Sequence, residues 1–501
     1  MAETNRNSYG SILKATGLFG GVKVFEILIS VIRSKFVAVL LGPSGMGIYG
    51  LITSATGLVK QITGFGLGTS GVREVSKAYG EGDEYKKNYI VTILRKLVWM
   101  TGMLGLVFTF FMAKWLSLWS FGNTDYTIWF RIVSVTLLID QIIIGQRVLM
   151  QGTFHYSFLA KATLIGDIVG LIVTIPLYYF FGVKGIVPVI ILHSLTRLIL
   201  SWCYARKINF IHLKLTLREV LRGGGTTLKL GFAIAMTGAV TLGAEYLLRI
   251  FISHAGDVAD VGLFNAGIAM ATQYIAVILT AMSSDYIPRL SASSSNNRQY
   301  NEIINRQMQL LIVIIGPVVG LFLVYIREVV LLLYSSKFIP ITGMIEWIMF
   351  GMFFRSISFC LSYAVVAKAD SNRFFWNELV AALYRILLYV VGYKLYGFDG
   401  MGIAYALGYV LYSLQMYLFC KIRYGFHFEG RTIRIVACQM LVVILLLSLT
   451  KLLHYTVNRY VFGTIWLIVI AYISYLQLNK MIDVKQSVIV LREKIFKRHD
   501  K

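Results

Sequence analysis

Ten ionisable side chains stand inside or at the ends of long apolar stretches of this sequence, and any chemistry the chain performs must use groups of this kind. Lys23, Arg33, Lys60, Arg249, Arg355 and Arg385 are cationic, and Glu26, Glu245, Glu378 and Asp140 are acidic. A charge at the centre of a bilayer costs about 2.5–3.5 kcal/mol on insertion scales, so it marks a cavity, an ion pair or a helix end from which a long side chain snorkels. Cations outnumber acids in this set. The implied cavity is net cationic and suits an anion, because the planar guanidinium fork donates two hydrogen bonds at once to phosphate oxygens. A pyrophosphate head group fits that chemistry, and the acids are candidates for coupling or charge pairing.

The spacing leaves two readings open. Thr16, Gly20, Lys23, Glu26, Ser30 and Arg33 recur every three or four residues and so share one helix face. Lys60 lies on a second such face, with Gly57, Gln61, Gly64 and Gly68. Lys23 with Glu26, and Glu245 with Arg249, are also placed to neutralise one another within a helix. Asp140 and Arg147, like Glu378 and Arg385, are seven residues apart on one face, with Arg147 near enough to a helix end to snorkel. Arg197 is expected to pair with Asp167 on the neighbouring helix. Lys60, Arg355 and Arg385 sit too deep to snorkel easily, which favours cavity roles for them.

The elements that position these groups are membrane helices. With 57% hydrophobic and only 14% charged residues, and a mean hydropathy of +0.71, the 501-residue chain lacks the polar surface of a soluble fold. Apolar stretches near residues 11–41, 45–72, 90–113, 127–149, 158–181, 185–206, 228–254, 259–288, 304–333, 340–367, 373–396, 400–423, 432–454 and 460–479 give an all-α polytopic chain of about fourteen spans. A β-barrel would instead show alternating strands of about ten residues. The first stretch carries Lys14, Lys23, Glu26 and Arg33 and has no small-residue cleavage site, so it reads as a retained helix rather than a signal peptide.

The net charge of +24 is distributed by topology. Only Lys114, Lys184, Arg327, Lys337, Lys394, Lys451 and Arg459 fall to the outer connections, while the inner connections, helix ends and tail carry several-fold more. That bias places both termini in the cytoplasm and removes the need for a nucleic-acid partner. Cys203, Cys360, Cys420 and Cys438 have no metal-site or disulfide spacing, and the chain has no phosphate-binding G-x-x-x-x-G-K-[ST] loop. Neither cofactor nor metal is expected, and the drive must come from an ion gradient, the membrane potential or the substrate gradient.

An internal repeat organises the spans. Gly47 and Gly262, Gly182 and Gly397, and Gly185 and Gly400 are each 215 residues apart. The offset divides the chain into an N-terminal six-helix lobe (1–206), a basic linker (207–227), a second six-helix lobe (228–424), and two appended helices with a basic tail (425–501). Both lobes begin on the same side, so they are parallel repeats. Repeats of this type commonly enclose a site near the bilayer midplane and alternate its access.

The runs RSKFVAVLLGPSGMGIYG (Arg33–Gly50), GFGLGTSGVRE (Gly64–Glu74) and IPLYYFFGVKGIVP (Ile175–Pro188) resemble the polysaccharide-transporter branch of the multidrug/oligosaccharidyl-lipid/polysaccharide exporter superfamily, in particular Wzx-type O-antigen translocases. The resemblance implies a non-enzymatic flippase in a bacterial inner membrane. It would move an undecaprenyl-pyrophosphate-linked oligosaccharide, an O-antigen or related surface polysaccharide unit, from the cytoplasmic to the periplasmic leaflet through a cationic cavity between the lobes. Lipopolysaccharide assembly would make a polysaccharide polymerase and glycosyltransferases its partners, beside the lipid-linked substrate and the bilayer. Two alternatives stand: an ion-coupled multidrug exporter of the same superfamily, which needs central carboxylates, and a membrane-embedded polymerase or glycosyltransferase, which needs a sizeable outer loop. The sequence does not identify the glycan, the coupling ion or the oligomeric state.

Overall fold

The computed structural model describes residues 2–294, 296–368, 370–453 and 456–481, with side chains from Phe25 onward except at positions 284 and 371, and it is helical with no strand among them. The side chain of Lys23 and the tail beyond Met481 lie outside the described residues. The helices are α1 (Ala2–Thr63), α2 (Leu67–Gly80), α3 (Glu84–Phe121), α4 (Thr127–Gly152), α5 (Tyr156–Phe181), α6 (Ile186–Ala205), α7 (Leu217–Ala255), α8 (Val258–Ala292), α9 (Asn297–Leu333), α10 (Thr342–Ala367), α11 (Ser371–Tyr424), α12 (Gly430–Leu453) and α13 (Val457–Asn479).

Ten helical stretches among the described residues are long and apolar enough to cross a membrane, fewer than the fourteen spans read from hydropathy. Several boundaries fall at breaks the sequence encodes. Within α1 the backbone leaves helical geometry at Gly42 (φ 68°, ψ −172°), immediately before Pro43, where two spans were expected to meet. Inside α11 it breaks at Tyr396 and Gly397. One expected boundary moves: the second span was read through residue 72, yet the helix stops at Thr63. Phe65 and Gly66 both take positive φ, and α2 begins afresh as a short amphipathic helix burying Leu67, Val75 and Ala78. Gly64–Gly66 form a turn, with Leu67 and Gly68 already in α2, and hydropathy alone does not distinguish that turn from a span.

Packing separates the chain into two compact units, Met1–Ala266 with Leu333–Lys337, and Gly267–Leu332 with Phe338–Lys501. In the first, Ile52, Ala55, Ala113, Phe130, Tyr178 and Ile186 form one apolar core, while Val91, Leu94, Leu97, Val148 and Met150 form another. In the second, Tyr286, Met308, Phe353, Cys360, Tyr412 and Met416 pack together.

The 215-residue offset is carried by the backbone itself. Gly182 has φ 52° and ψ −132°, and Gly397 has φ 56° and ψ −133°, a region closed to side chains with a Cβ. Within the first unit, a Cβ on Gly47 would overlap the Val258 carbonyl, and a Cβ on Gly262 would overlap the Pro43 carbonyl. Position 258 is itself 215 residues beyond 43. The contact is therefore reciprocal between positions 215 residues apart.

Candidate anion-binding site

The second unit holds the most cationic arrangement among the expected site residues. Arg355 lies on α10, while Arg385 and Glu378 lie on the first half of α11; the break at Tyr396–Gly397 returns the second half, bearing Tyr405, Tyr409 and Tyr412. Those tyrosines follow four- and three-residue spacing and so share a face. Arg355 Nη1 donates to Tyr405 Oη at 3.2 Å, and its guanidinium carbon stands 5.6 Å from the centre of the Tyr409 ring. The guanidinium carbon of Arg385 stands 5.7 Å from the same ring and 5.6 Å from that of Tyr412.

Two guanidiniums thus share one aromatic ring, whose electron-rich face attracts both without neutralising either. Among the described residues one carboxylate pairs within this cluster, and only with Arg385. Glu378 Oε2 is 3.7 Å from Arg385 Nη2, and Glu378 Oε1 accepts the Tyr412 hydroxyl. Arg355 has no carboxylate within ion-pair distance among the described residues. Both arginines are only partly buried, so N–H donors remain for an anion. The sequence reading of Glu378 with Arg385 as a same-face pair agrees with this geometry.

In the first unit Lys60 and Arg249 each hold a carboxylate, while Arg33 meets a histidine and a backbone carbonyl. Lys60 Nζ meets Asp140 Oδ2 at 2.9 Å, and Asp140 Oδ1 also accepts the Ser194 hydroxyl at 3.1 Å. Same-helix spacing offers Lys60 no partner and sets Asp140 on one face with Arg147, so it cannot reveal this pair, whose carboxylate comes from a neighbouring helix. Arg33 lies 3.0 Å from His193 Nε2, and its Nη2 also reaches the Asp167 carbonyl at 3.5 Å. Asp167 Oδ1 pairs with Arg197 at 3.3 Å, as expected from the sequence. Arg249 donates through Nη1 to Glu245 at 3.2 Å and through Nε to Asn265 Oδ1 at 2.8 Å, realising the within-helix pairing. Glu26 is placed to act electrostatically on Arg147.

Sequence reasoning missed a buried ionic cluster. Glu346 on α10 accepts from Arg459 Nη2 at 2.8 Å and pairs with Lys451 Nζ at 2.7 Å, and both Glu346 and Arg459 are 2% exposed. Lys451 and Arg459 were assigned to outer connections, and Glu346 was passed over. A glutamate inside an apolar span with no basic residue three or four positions away was the available signal. His193, Ser194 and the tyrosine stripe were also missed, because none is unusual in isolation.

The comparisons with known proteins agree with this architecture. The polysaccharide biosynthesis protein family matches residues 36–343, and that match bears out the branch suggested by the glycine-rich motifs. Lipid III flippase of Escherichia coli (strain K12) is 22% identical over 415 residues, covering 80% of this chain and 96% of that protein. Among solved structures, lipid II flippase MurJ in an inward closed conformation superposes with a TM-score of 0.73 at 14% identity, covering 92% of this chain and 99% of that one. An inward-facing multidrug resistance MATE family transporter superposes with a TM-score of 0.66 at 13% identity, covering 80% and 94%. These structural likenesses establish the helical fold, and the family match over more than half the sequence gives the assignment: the chain belongs to the polysaccharide biosynthesis protein family.

Proposed function

We propose that the protein flips a lipid-linked oligosaccharide across a bacterial inner membrane, from the cytoplasmic to the periplasmic leaflet, with undecaprenyl pyrophosphate as carrier and an O-antigen or related surface unit as glycan. The observation that carries this reading is the pair of arginines on Tyr409, of which only Arg385 holds a carboxylate. A pyrophosphate is polyanionic and cannot enter hydrocarbon without substitutes for its hydration, which guanidinium donors provide. The polyprenyl tail has no such need and can remain in lipid.

Family membership and the curated flippase relative support the same conclusion. Lys23, Arg33, Lys60 and Arg249, all in the first unit, are further cationic groups that we assign to phosphate binding. On this reading the pairs Lys60–Asp140 and Arg249–Glu245 are internal partners that an arriving phosphate must displace. Alternating access requires the ligand to stabilise one conformation more than another, because equal affinity shifts no equilibrium.

The test is translocation of a defined undecaprenyl-pyrophosphate oligosaccharide in liposomes containing only this protein. Flipping above protein-free liposomes, reduced by Arg355→Gln, is the expected result. A wild-type rate equal to the protein-free rate would sink the proposal.

A further inference from the structure

A cavity of about 470 Å³ opens in the first unit, and none of the expected transport residues lines it. Its walls are the start of α3, the ends of α4 and α6, and linker residues 208–211. The linker is fastened over it: Asn88 Oδ1 accepts the Ile211 N–H at 3.0 Å, Thr92 Oγ1 accepts that of Leu213 at 3.4 Å, and Lys96 donates to the Leu215 carbonyl.

Two guanidiniums line the opening. Arg95 donates to His212 Nε2 at 2.7 Å and lies 5.0 Å from the centre of the Phe210 ring, while Arg206 lies 4.9 Å from that of Trp202. Burial, and then the Arg95 charge, hold His212 below its ordinary pKa, so it serves as a neutral acceptor. Among the described residues no carboxylate pairs with either arginine. Glu84, the acid on the wall, is occupied by Lys87.

The surface leading away from this cationic mouth is apolar. On α3, Trp99, Met103 and Val107 follow every fourth residue and are 52%, 47% and 41% exposed; on α6, Trp202 and Ile199 are 49% and 58% exposed. Tryptophans at this junction are typical of a membrane–water boundary. A ligand filling both regions has an anionic head and a hydrocarbon tail. A soluble phosphate or nucleotide would leave the apolar track empty.

We propose that this cavity binds an anionic phospholipid from the leaflet on the linker side, with its phosphate on Arg95 and Arg206 and its acyl chain along α3 and α6. The site is distinct from the arginine pair on Tyr409 and does not depend on the transport reading. A lipid held there ties the linker at residues 208–215 to α3 and α6, because Arg95 contacts Phe210 and His212 while Arg206 follows α6 directly.

The experiment is native mass spectrometry of the whole detergent-purified protein titrated with phosphatidylglycerol or phosphatidylcholine. Wild type should retain phosphatidylglycerol in preference to phosphatidylcholine. Arg95→Gln with Arg206→Gln should weaken that retention about tenfold or more, through loss of the charge-assisted contacts. Arg298→Gln with Arg306→Gln, an equal charge loss at exposed positions, should not weaken it. Equal retention by the two double variants would overturn the proposal. So would displacement of the lipid by inorganic phosphate or uridine diphosphate at equal concentration, which would assign the cavity to a soluble anion. Photoactivatable phosphatidylglycerol on the wild-type protein removes any dependence on variant folding. Crosslinks concentrated in residues 84–99 and 202–211 are expected, and labelling spread evenly over the apolar helix faces would refute the site.

Discussion

Replacing Glu346 by glutamine should destabilise the second unit more than removing either of its cationic partners. The carboxylate holds Arg459 at 2.8 Å and Lys451 at 2.7 Å, and with 2% exposure neither Glu346 nor Arg459 can turn to water. Neutralising it strands a buried guanidinium, and breaking a buried pair this way costs about 3–5 kcal/mol. Arg459→Met is milder, because Lys451 still neutralises Glu346. Its main cost is the lost donor to the Leu323 carbonyl at 2.7 Å and the Thr450 carbonyl at 3.3 Å, together about 2 kcal/mol. Lys451→Met should cost about 1 kcal/mol, since Lys451 is 36% exposed and Arg459 remains on the carboxylate. The assay is the apparent melting temperature of each variant in one detergent, read by fluorescence-detected size exclusion after heating. The expected order of loss is Glu346→Gln, then Arg459→Met, then Lys451→Met. An Arg459→Met variant that melts below Glu346→Gln would refute the reasoning, and so would wild-type melting of both.

At the proposed anion site, Arg355→Gln or Arg385→Gln should slow flipping about ten- to hundredfold while leaving insertion intact, since each removes a charge-assisted contact of about 1.5–3 kcal/mol. Arg355→Lys should keep part of that rate, having charge without the planar fork; wild-type rates in all three would refute the site. Neutralising both Glu245 and Arg249 should restore flipping lost in either single variant if the pair is structural, and fail to restore it if Arg249 also binds phosphate. Gly47→Val should lower the yield of folded protein, because its Cβ meets the Val258 carbonyl rather than a flexible side chain; normal yield and melting would contradict the close approach. Cysteine labelling should place Ser120, Asp257 and Phe398 in the periplasm and Gly82, Leu215 and His427 in the cytoplasm, and one reversed position would break the orientation.

The fold was legible because its strongest constraints are local. Apolar length marks helices, and glycines with unusual backbone mark where they break, so Gly182 and Gly397 could be matched before their shared conformation was known. The turn at Gly64–Gly66 was not legible, since the apolar residues on either side of it carry the hydropathy of a span across the break. Site residues divide along the same line. Glu245 with Arg249, and Glu378 with Arg385, were visible because four- and seven-residue spacing sets a helix face. Asp140 with Lys60, and Glu346 with Arg459, join different helices 80 and 113 residues apart, a distance at which spacing carries no information.

These cross-helix pairs alter how the cations should be ranked. Counting charges along the sequence treats Lys60, Arg249, Arg355 and Arg385 as equal ligands for phosphate, yet the first two already hold carboxylates at 2.9 and 3.2 Å. A phosphate reaching Lys60 must compete with Asp140, so its net gain is the difference between two charge-assisted contacts. Arg385 gives up less, because Glu378 lies at 3.7 Å and shares its oxygens with Tyr412. Arg355 gives up least, with a tyrosine hydroxyl and an aromatic face as its partners. Affinity should therefore concentrate at Arg355 and Arg385, while Lys60 and Arg249 exchange partners at small net cost. A flippase has to release what it binds, and cations that exchange one anionic partner for another, as Lys60 and Arg249 can, satisfy that requirement better than free cations would.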